Sequence, residues 1–168
     1  MSGSKLRWTI LKPSLLWGER DGFFNILASL VRYSPGVVPV IARQRSKFQP
    51  LWIGDLARAV QACLREDTTA GTAIELGGPD FWTYRQMMAE VVHGMAKRRL
   101  LVPVPLPLVK GVARTAEFVR LPFPVASDQL RQLANDNATA LNSVQRAFGF
   151  DPRPMAGNLG YLRTRLRD

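Results

Sequence analysis

The sequence predicts an α/β fold. Short strand-prone runs alternate with amphipathic helical stretches, and 12 prolines and 13 glycines cut the chain into short elements. A hydrophobic content of 46% over 168 residues is enough for a buried core, so one domain, or the larger part of one, is expected. There is no internal repeat or low-complexity tract.

Trp8-Thr9-Ile10-Leu11 reads as a strand stopped by Pro13, which has no amide to continue a sheet ladder. Gly18-Glu19-Arg20-Asp21-Gly22 is a loop in which Asp21 can cap a helix through Phe23, Phe24, Ile26, Leu27, Leu30 and Val31. Tyr33-Ser34-Pro35-Gly36 ends that helix. Residues 37–41 and 48–53 are strand-like and flank the basic run Arg43-Gln44-Arg45-Ser46-Lys47. Asp55 is the expected N-cap of a helix with Leu56, Ala59, Val60, Cys63 and Leu64 on one stripe, which makes Cys63 a buried small hydrophobe rather than a reactive thiol. Ala73-Ile74-Glu75-Leu76 is a short strand closed by a turn at Gly77-Gly78-Pro79.

Thr83-Tyr84-Arg85-Gln86 fits a capping box, and the helix it starts buries Tyr84, Met87, Met88, Val91, Val92 and Met95. His93 falls on the opposite side and faces solvent. Residues 100–104 form an extended piece. Pro107 starts a helix with Leu108, Val112, Ala113, Ala116 and Val119 inward, and Ser127 caps a shorter one with Leu130 and Leu133. A last helical stretch with Leu141, Val144 and Phe148 stops at Gly149, before a terminal segment carrying Leu159, Tyr161 and Leu162.

Several kinds of chemistry are excluded. With one histidine, one cysteine and no cluster around either, neither a histidine-based triad nor a metal site is expected. No glycine-rich turn sits between a strand and a helix start, where amides could cradle a diphosphate. No catalytic residue and no metal ligand is assigned. The longest apolar run, 100–109, is too short and too proline-rich to cross a bilayer, and no signal peptide is visible. The lone cysteine points to a reducing, cytoplasmic compartment. A net charge of +10 would attract phosphates, acidic lipids or nucleic acid. The cations are scattered and no base-reading motif accompanies them, so a solvated basic face is preferred to nucleic-acid binding.

Two regions carry a resemblance. Trp8-Thr9-Ile10-Leu11-Lys12-Pro13-Ser14, then Gly18 and Asp21-Gly22-Phe23-Phe24-Asn25, resembles the part of extended and atypical short-chain dehydrogenases just after their catalytic tyrosine and lysine. Phe48-Gln49-Pro50-Leu51-Trp52-Ile53-Gly54-Asp55-Leu56-Ala57, Ile74-Glu75-Leu76-Gly77-Gly78-Pro79, Thr83-Tyr84-Arg85-Gln86 and Phe148-Gly149-Phe150 with Pro152 continue the match in order. The chain thus resembles the carboxy-terminal portion of the NAD-dependent epimerase/dehydratase family. The branch is the one that includes the Rossmann-type accessory subunit of respiratory complex I.

The resemblance implies the last strands of a Rossmann-type parallel sheet plus a small, mainly helical carboxy-terminal substrate subdomain, with residues 1–168 as a single incomplete domain. The family's amino-terminal half, with its Gly-x-x-Gly-x-x-Gly turn and Tyr-x-x-x-Lys pair, has no counterpart here. Tyr33, Tyr84 and Tyr161 are followed four positions later by Val37, Met88 and Arg165. By similarity, Pro13 and the backbone of Ser14, Leu15 and Leu16 lie beside the nicotinamide end of NAD or NADP, while Asp21, Phe24, Phe48 and Gln49 lie near the substrate pocket. The plainer reading makes Pro13 a strand terminator, Asp21 a cap and both phenylalanines core.

The expected function is that of a substrate-binding portion of an NAD(P)-dependent epimerase, dehydratase or reductase-like protein, inactive and without tightly bound cofactor on its own. Its expected partner is the missing amino-terminal half or another chain, and the apolar edge of the 8–11 strand also favours self-association. The alternative is a noncatalytic interaction or respiratory-complex assembly module. In that reading a basic, partly apolar surface that includes the 107–120 helix rests on an anionic membrane, peripherally.

Overall fold

The computed structural model describes residues 7–42, 46–105 and 137–164. The helices expected at Pro107 and Ser127 lie outside them. In chain order the elements are β1 (Ile10–Pro13), β2 (Leu16–Trp17), α1 (Gly22–Tyr33), β3 (Val37–Ile41), β4 (Leu51–Trp52), α2 (Ile53–Arg65), a 3-10 turn (Asp67–Thr69), β5 (Ala73–Leu76), α3 (Tyr84–Gly94), β6 (Leu100–Val104), α4 (Ser143–Phe148) and a second 3-10 turn (Leu159–Arg163).

The strands pair in parallel: β1 with β5, β2 with β4, and β3 with β6. Parallel pairing demands crossover connections, and the alternation of strand and helix along the chain supplies them. Pro39 and Pro103 sit inside β3 and β6, which is tolerated because among the described residues each strand of this pair has one edge that needs no ladder amide.

α1 forms where Asp21 caps it: Oδ1 accepts from the amides of Phe24 at 2.5 Å and Asn25 at 3.4 Å. Its buried residues Phe24, Leu27, Ala28 and Val31 follow helical spacing. They meet Val38 and Val40 of β3, and Met87, Met88 and Val91 of α3, in the larger core cluster. Burying each large apolar side chain contributes about 1.5–3 kcal/mol. The capping box of α3 is present in both directions, Thr83 N donating to Gln86 Oε1 at 2.8 Å and Gln86 N to Thr83 Oγ1 at 3.3 Å. His93 is exposed, as its helical position required. A second cluster, Leu51, Ala59, Leu76, Val144 and Phe150, joins α2 and α4 to β4 and β5.

Three local expectations need correction. The 48–53 strand shrinks to Leu51–Trp52, because α2 already begins at Ile53. Asp55 therefore lies in the first turn of α2 rather than at its cap, and its buried carboxylate accepts the Arg153 amide at 2.7 Å. Cys63 is half-buried rather than fully buried, because the outer part of its stripe has no neighbour: Val60 is 42% and Leu64 82% exposed.

The carboxy-terminal segment straps these layers together. Besides Arg153 on Asp55, the Gly157 amide donates to Glu90 Oε1, Arg163 Nε to the Gly94 carbonyl and Arg32 Nη2 to the Leu162 carbonyl. Leu159 packs so closely on α3 that a Cβ at Gly94 would stand 2.8 Å from its own Cβ.

Candidate functional site

β1 and β5 end side by side, and a cleft of about 210 Å³ opens at their carboxyl ends, lined by Lys12, Pro13, Ser14, Glu75, Leu76 and the 137–139 segment. Ligands of open α/β sheets bind at this end of the strands. Pro13 terminates the ladder, and the next amide, that of Ser14, still donates to the Leu76 carbonyl at 2.7 Å. The Ser14 hydroxyl donates to the Asn137 carbonyl at 2.6 Å, which pins the 137–139 segment across the cleft.

Gln49 holds that segment from beneath. It is wholly buried, with Oε1 accepting from the Thr139 amide at 2.8 Å and Nε2 donating to the Gly78 carbonyl at 2.6 Å. The glycine pair after β5 is more than a turn: a Cβ on Gly77 would overlap the Gln49 side chain, and one on Gly78 would overlap the Pro50 carbonyl. Leu15 and Leu16 are half-buried, packing on the two core clusters, and the Leu15 carbonyl accepts from the Leu51 amide at 2.8 Å.

The other residues tied to a substrate pocket sit deeper. Phe24 is completely buried and Phe48 is 3% exposed, both in the larger core. Asp21 belongs to a separate polar knot. Its Oδ2 accepts from the Tyr161 hydroxyl at 2.7 Å, and that hydroxyl accepts from the Gly18 amide at 3.2 Å. Burial pushes the Asp21 carboxyl up, against the Tyr161 hydrogen bond and the amides of Phe24, Asn25 and Gly18. Burial first, then the neighbouring Asp21 charge and hydrogen bond, push the Tyr161 phenol up as well. Tyr161, Asn137 and Thr139 were invisible as partners in the sequence, since each contact spans more than 80 residues.

The chemical capacity of the cleft is narrow. The Ser14 hydroxyl and amide are both engaged, and among the described residues no group of three histidine, cysteine, aspartate or glutamate side chains could hold a metal. Pro13 and Ser14 line the cleft at the strand ends, and a dinucleotide needs a cradle of amides for its diphosphate. No proton or hydride step is assigned to the described residues.

A second feature lies on the other side of β1. An open groove of about 370 Å³ is lined by Trp8, Thr9 and Leu11 and by Val60, Cys63 and Leu64 of α2. Among the described residues β5 is the only strand paired with β1. The amides of Ile10 and Ser14 point to β5, so by alternation those of Thr9 and Leu11 point to the opposite edge.

Parallel strand pairs, flanking helices and a cleft at the strand ends are the architecture of Rossmann-type epimerases and reductases. The fold matches the NADPH-dependent quinone oxidoreductase of Escherichia coli with a TM-score of 0.65 and 19% identity, over 97% of this chain and 56% of that one. It matches the nucleoside-diphosphate-sugar epimerase of Staphylococcus aureus with a TM-score of 0.61 and 17% identity, over 95% and 54%.

No family model matches the sequence. Curated relatives do. The chain is 32% identical over 140 residues to the mitochondrial NADH dehydrogenase [ubiquinone] 1 alpha subcomplex subunit 9 of Arabidopsis thaliana, covering 81% of this chain and 34% of that protein. It is 30% identical over 107 residues to the mitochondrial NADH-ubiquinone oxidoreductase 40 kDa subunit of Neurospora crassa, covering 62% and 27%. The chain spans about a third of the length of the curated relatives it matches. The chain belongs to the family of these NADH dehydrogenase [ubiquinone] 1 alpha subcomplex subunit 9 proteins, and it shares its fold with Rossmann-type epimerases and reductases.

Proposed function

We propose that this chain is the substrate-side portion of an NAD(P)-dependent epimerase, dehydratase or reductase-like protein, silent alone and completed by a dinucleotide-binding module docked along β1. The observation that carries this reading is that one edge of β1 has no paired strand among the described residues and lies beside the exposed apolar groove of Trp8, Leu11, Val60, Cys63 and Leu64. Parallel sheets are ordinarily covered on both faces, and such a groove invites another strand and helix. In the completed fold Pro13 and the backbone of Ser14, Leu15 and Leu16 form the wall against the nicotinamide end. Asp21, Phe24, Phe48 and Gln49 support the substrate side, Asp21 and the two phenylalanines by shaping the elements behind it.

The test is titration of the purified chain with NADH and NADPH, alone and mixed with the part of the Arabidopsis relative that this chain does not match, produced separately. Saturable binding is expected only in the mixture. Tight binding or turnover by the chain alone overturns the proposal.

A second reading, a noncatalytic assembly module, is favoured by the relatives, whose names make them subunits of an NADH dehydrogenase. It predicts a stable complex with the added part and no nucleotide binding in the mixture. The same edge also admits a second copy of the chain, which size-exclusion chromatography over a range of concentrations would reveal. A cytoplasmic setting, with peripheral attachment to a membrane, accompanies either reading.

A further inference from the structure

Three exposed apolar side chains gather at one end of the β3–β6 sheet: Tyr33 is 70%, Val37 46% and Leu100 66% exposed. Val37 and Leu100 are register partners, so their side chains project from the same face. The Leu100 amide donates to the Gly36 carbonyl at 2.9 Å, and Tyr33 is the last residue of α1, just before the turn that contains Gly36. Pro39 is exposed farther along the same face, whereas Val38 and Val40 point into the core. Adjacent large apolar side chains in this number mark an interaction surface more than scattered single ones do.

The charged residues next to them in sequence have one sign. Lys97, Arg98 and Arg99 immediately precede Leu100, Arg32 precedes Tyr33, and residues 30–42 and 95–105 contain no aspartate or glutamate. Arg32 and Arg99 each donate to a backbone carbonyl, of Leu162 at 3.1 Å and of Val31 at 3.4 Å, which holds both guanidinium groups at this end of the molecule without neutralising them. Lys97 and Arg98 are exposed.

An apolar tip inside a cationic collar fits a surface that is apolar below and anionic above. Nucleic acid would engage the collar and leave Leu100 and Val37 in water. A lipid headgroup region uses both parts, taking the apolar side chains to the acyl boundary and the cations to the phosphates. We propose that the Tyr33, Val37 and Leu100 end of the β3–β6 sheet, with Lys97 and Arg98, rests on an anionic lipid bilayer. The proposal uses a different sheet from the β1 groove and does not depend on what docks there.

The test is co-sedimentation of the full chain with phosphatidylcholine vesicles, with and without roughly one phosphatidylserine in three lipids. Binding is expected on the anionic vesicles alone. The double variant Lys97→Ala/Arg98→Ala should weaken it at least tenfold, since each cation near such a surface is worth roughly fivefold in affinity. Leu100→Ser should also weaken it, by roughly tenfold. The control Arg85→Ala/Arg146→Ala, on exposed residues of other elements, should change it less than about twofold.

A second readout keeps the apolar part testable. A polarity-sensitive dye on Leu100→Cys in a Cys63→Ser background should shift to the blue on anionic vesicles and not on neutral ones. Absence of vesicle binding, equal loss in the control pair, an unshifted dye, or binding indifferent to Leu100→Ser and fully competed by heparin would each overturn the proposal; the last would assign the surface to soluble polyanions.

Discussion

The Tyr161 hydroxyl donates to Asp21 Oδ2 at 2.7 Å, joining residues 140 positions apart. Asp21 does double service: Oδ1 caps α1 while Oδ2 anchors the carboxy-terminal strap to the same helix start. Tyr161→Phe should leave a largely buried carboxylate one donor short and the Gly18 amide without this acceptor, at a cost of about 1–3 kcal/mol. Asp21→Ala should cost about 1 kcal/mol more, because the cap is lost as well. Urea unfolding of the two variants measures both; a Tyr161→Phe protein as stable as its parent would show that the strap is held by its apolar residues alone.

The same pair sets a pH dependence. The folded chain binds the Asp21 proton more tightly than the unfolded chain does, because burial raises the carboxyl above 3.8. Stability from this group is therefore fully present below pH 3.8 and declines as pH rises through the folded value. Asp21→Asn should flatten that part of the curve. On the alkaline side burial pushes Tyr84 up to about 12 from 10.0, so its contribution is present below pH 10.0 and lost as pH rises through about 12. Tyr84→Phe should remove a loss on the order of 2–3 kcal/mol across that range, measurable as the slope of unfolding free energy against pH.

What was legible in the sequence and what was not divides by range. The Asp21 cap, the Thr83–Gln86 capping box, the apolar faces of α1 and α3 and the stop at Gly149, where φ is 69°, are all written within a few residues of where they act. β2 was missed because a two-residue strand has no period to read, and Asp55 was misplaced because its partner, the Arg153 amide, lies 98 residues away. The cleft followed the same rule. Pro13 and Ser14 stand in one local run, but the 137–139 segment that crosses the cleft is bound through Ser14 and Gln49 by contacts spanning 123 and 90 residues. Half-burial of Cys63 was unreadable for another reason: a helical stripe says which residues share a face, and only the packing says whether that face is covered.

Gly78 gives the sharpest test of the cleft's construction. A Cβ added there would overlap the Pro50 carbonyl, a backbone group fixed by the adjoining β4, so neither partner can turn away. Gly78→Ala should destabilise the chain by more than about 3 kcal/mol. Gly149→Ala, with open space around it, should lose only about 1 kcal/mol from its left-handed backbone. Thermal melts rank the two; equal losses would mean that the Gly78 contact relaxes easily.

The groove beside β1 makes Cys63 a reporter, since it is the sole cysteine and lines the floor where a docked element would lie. Being half-buried, its thiol should react with a maleimide in the free chain within about tenfold of the unfolded rate, and at least about tenfold more slowly once a partner occupies the groove. Leu64→Asp separates docking from folding. Leu64 is 82% exposed, so the change should alter the free chain's stability by less than about 0.5 kcal/mol. A carboxylate buried without a partner at an interface is costly, so the same change should abolish protection of Cys63 by the proposed docking partner. Protection that survives Leu64→Asp would place the docking surface elsewhere on the molecule.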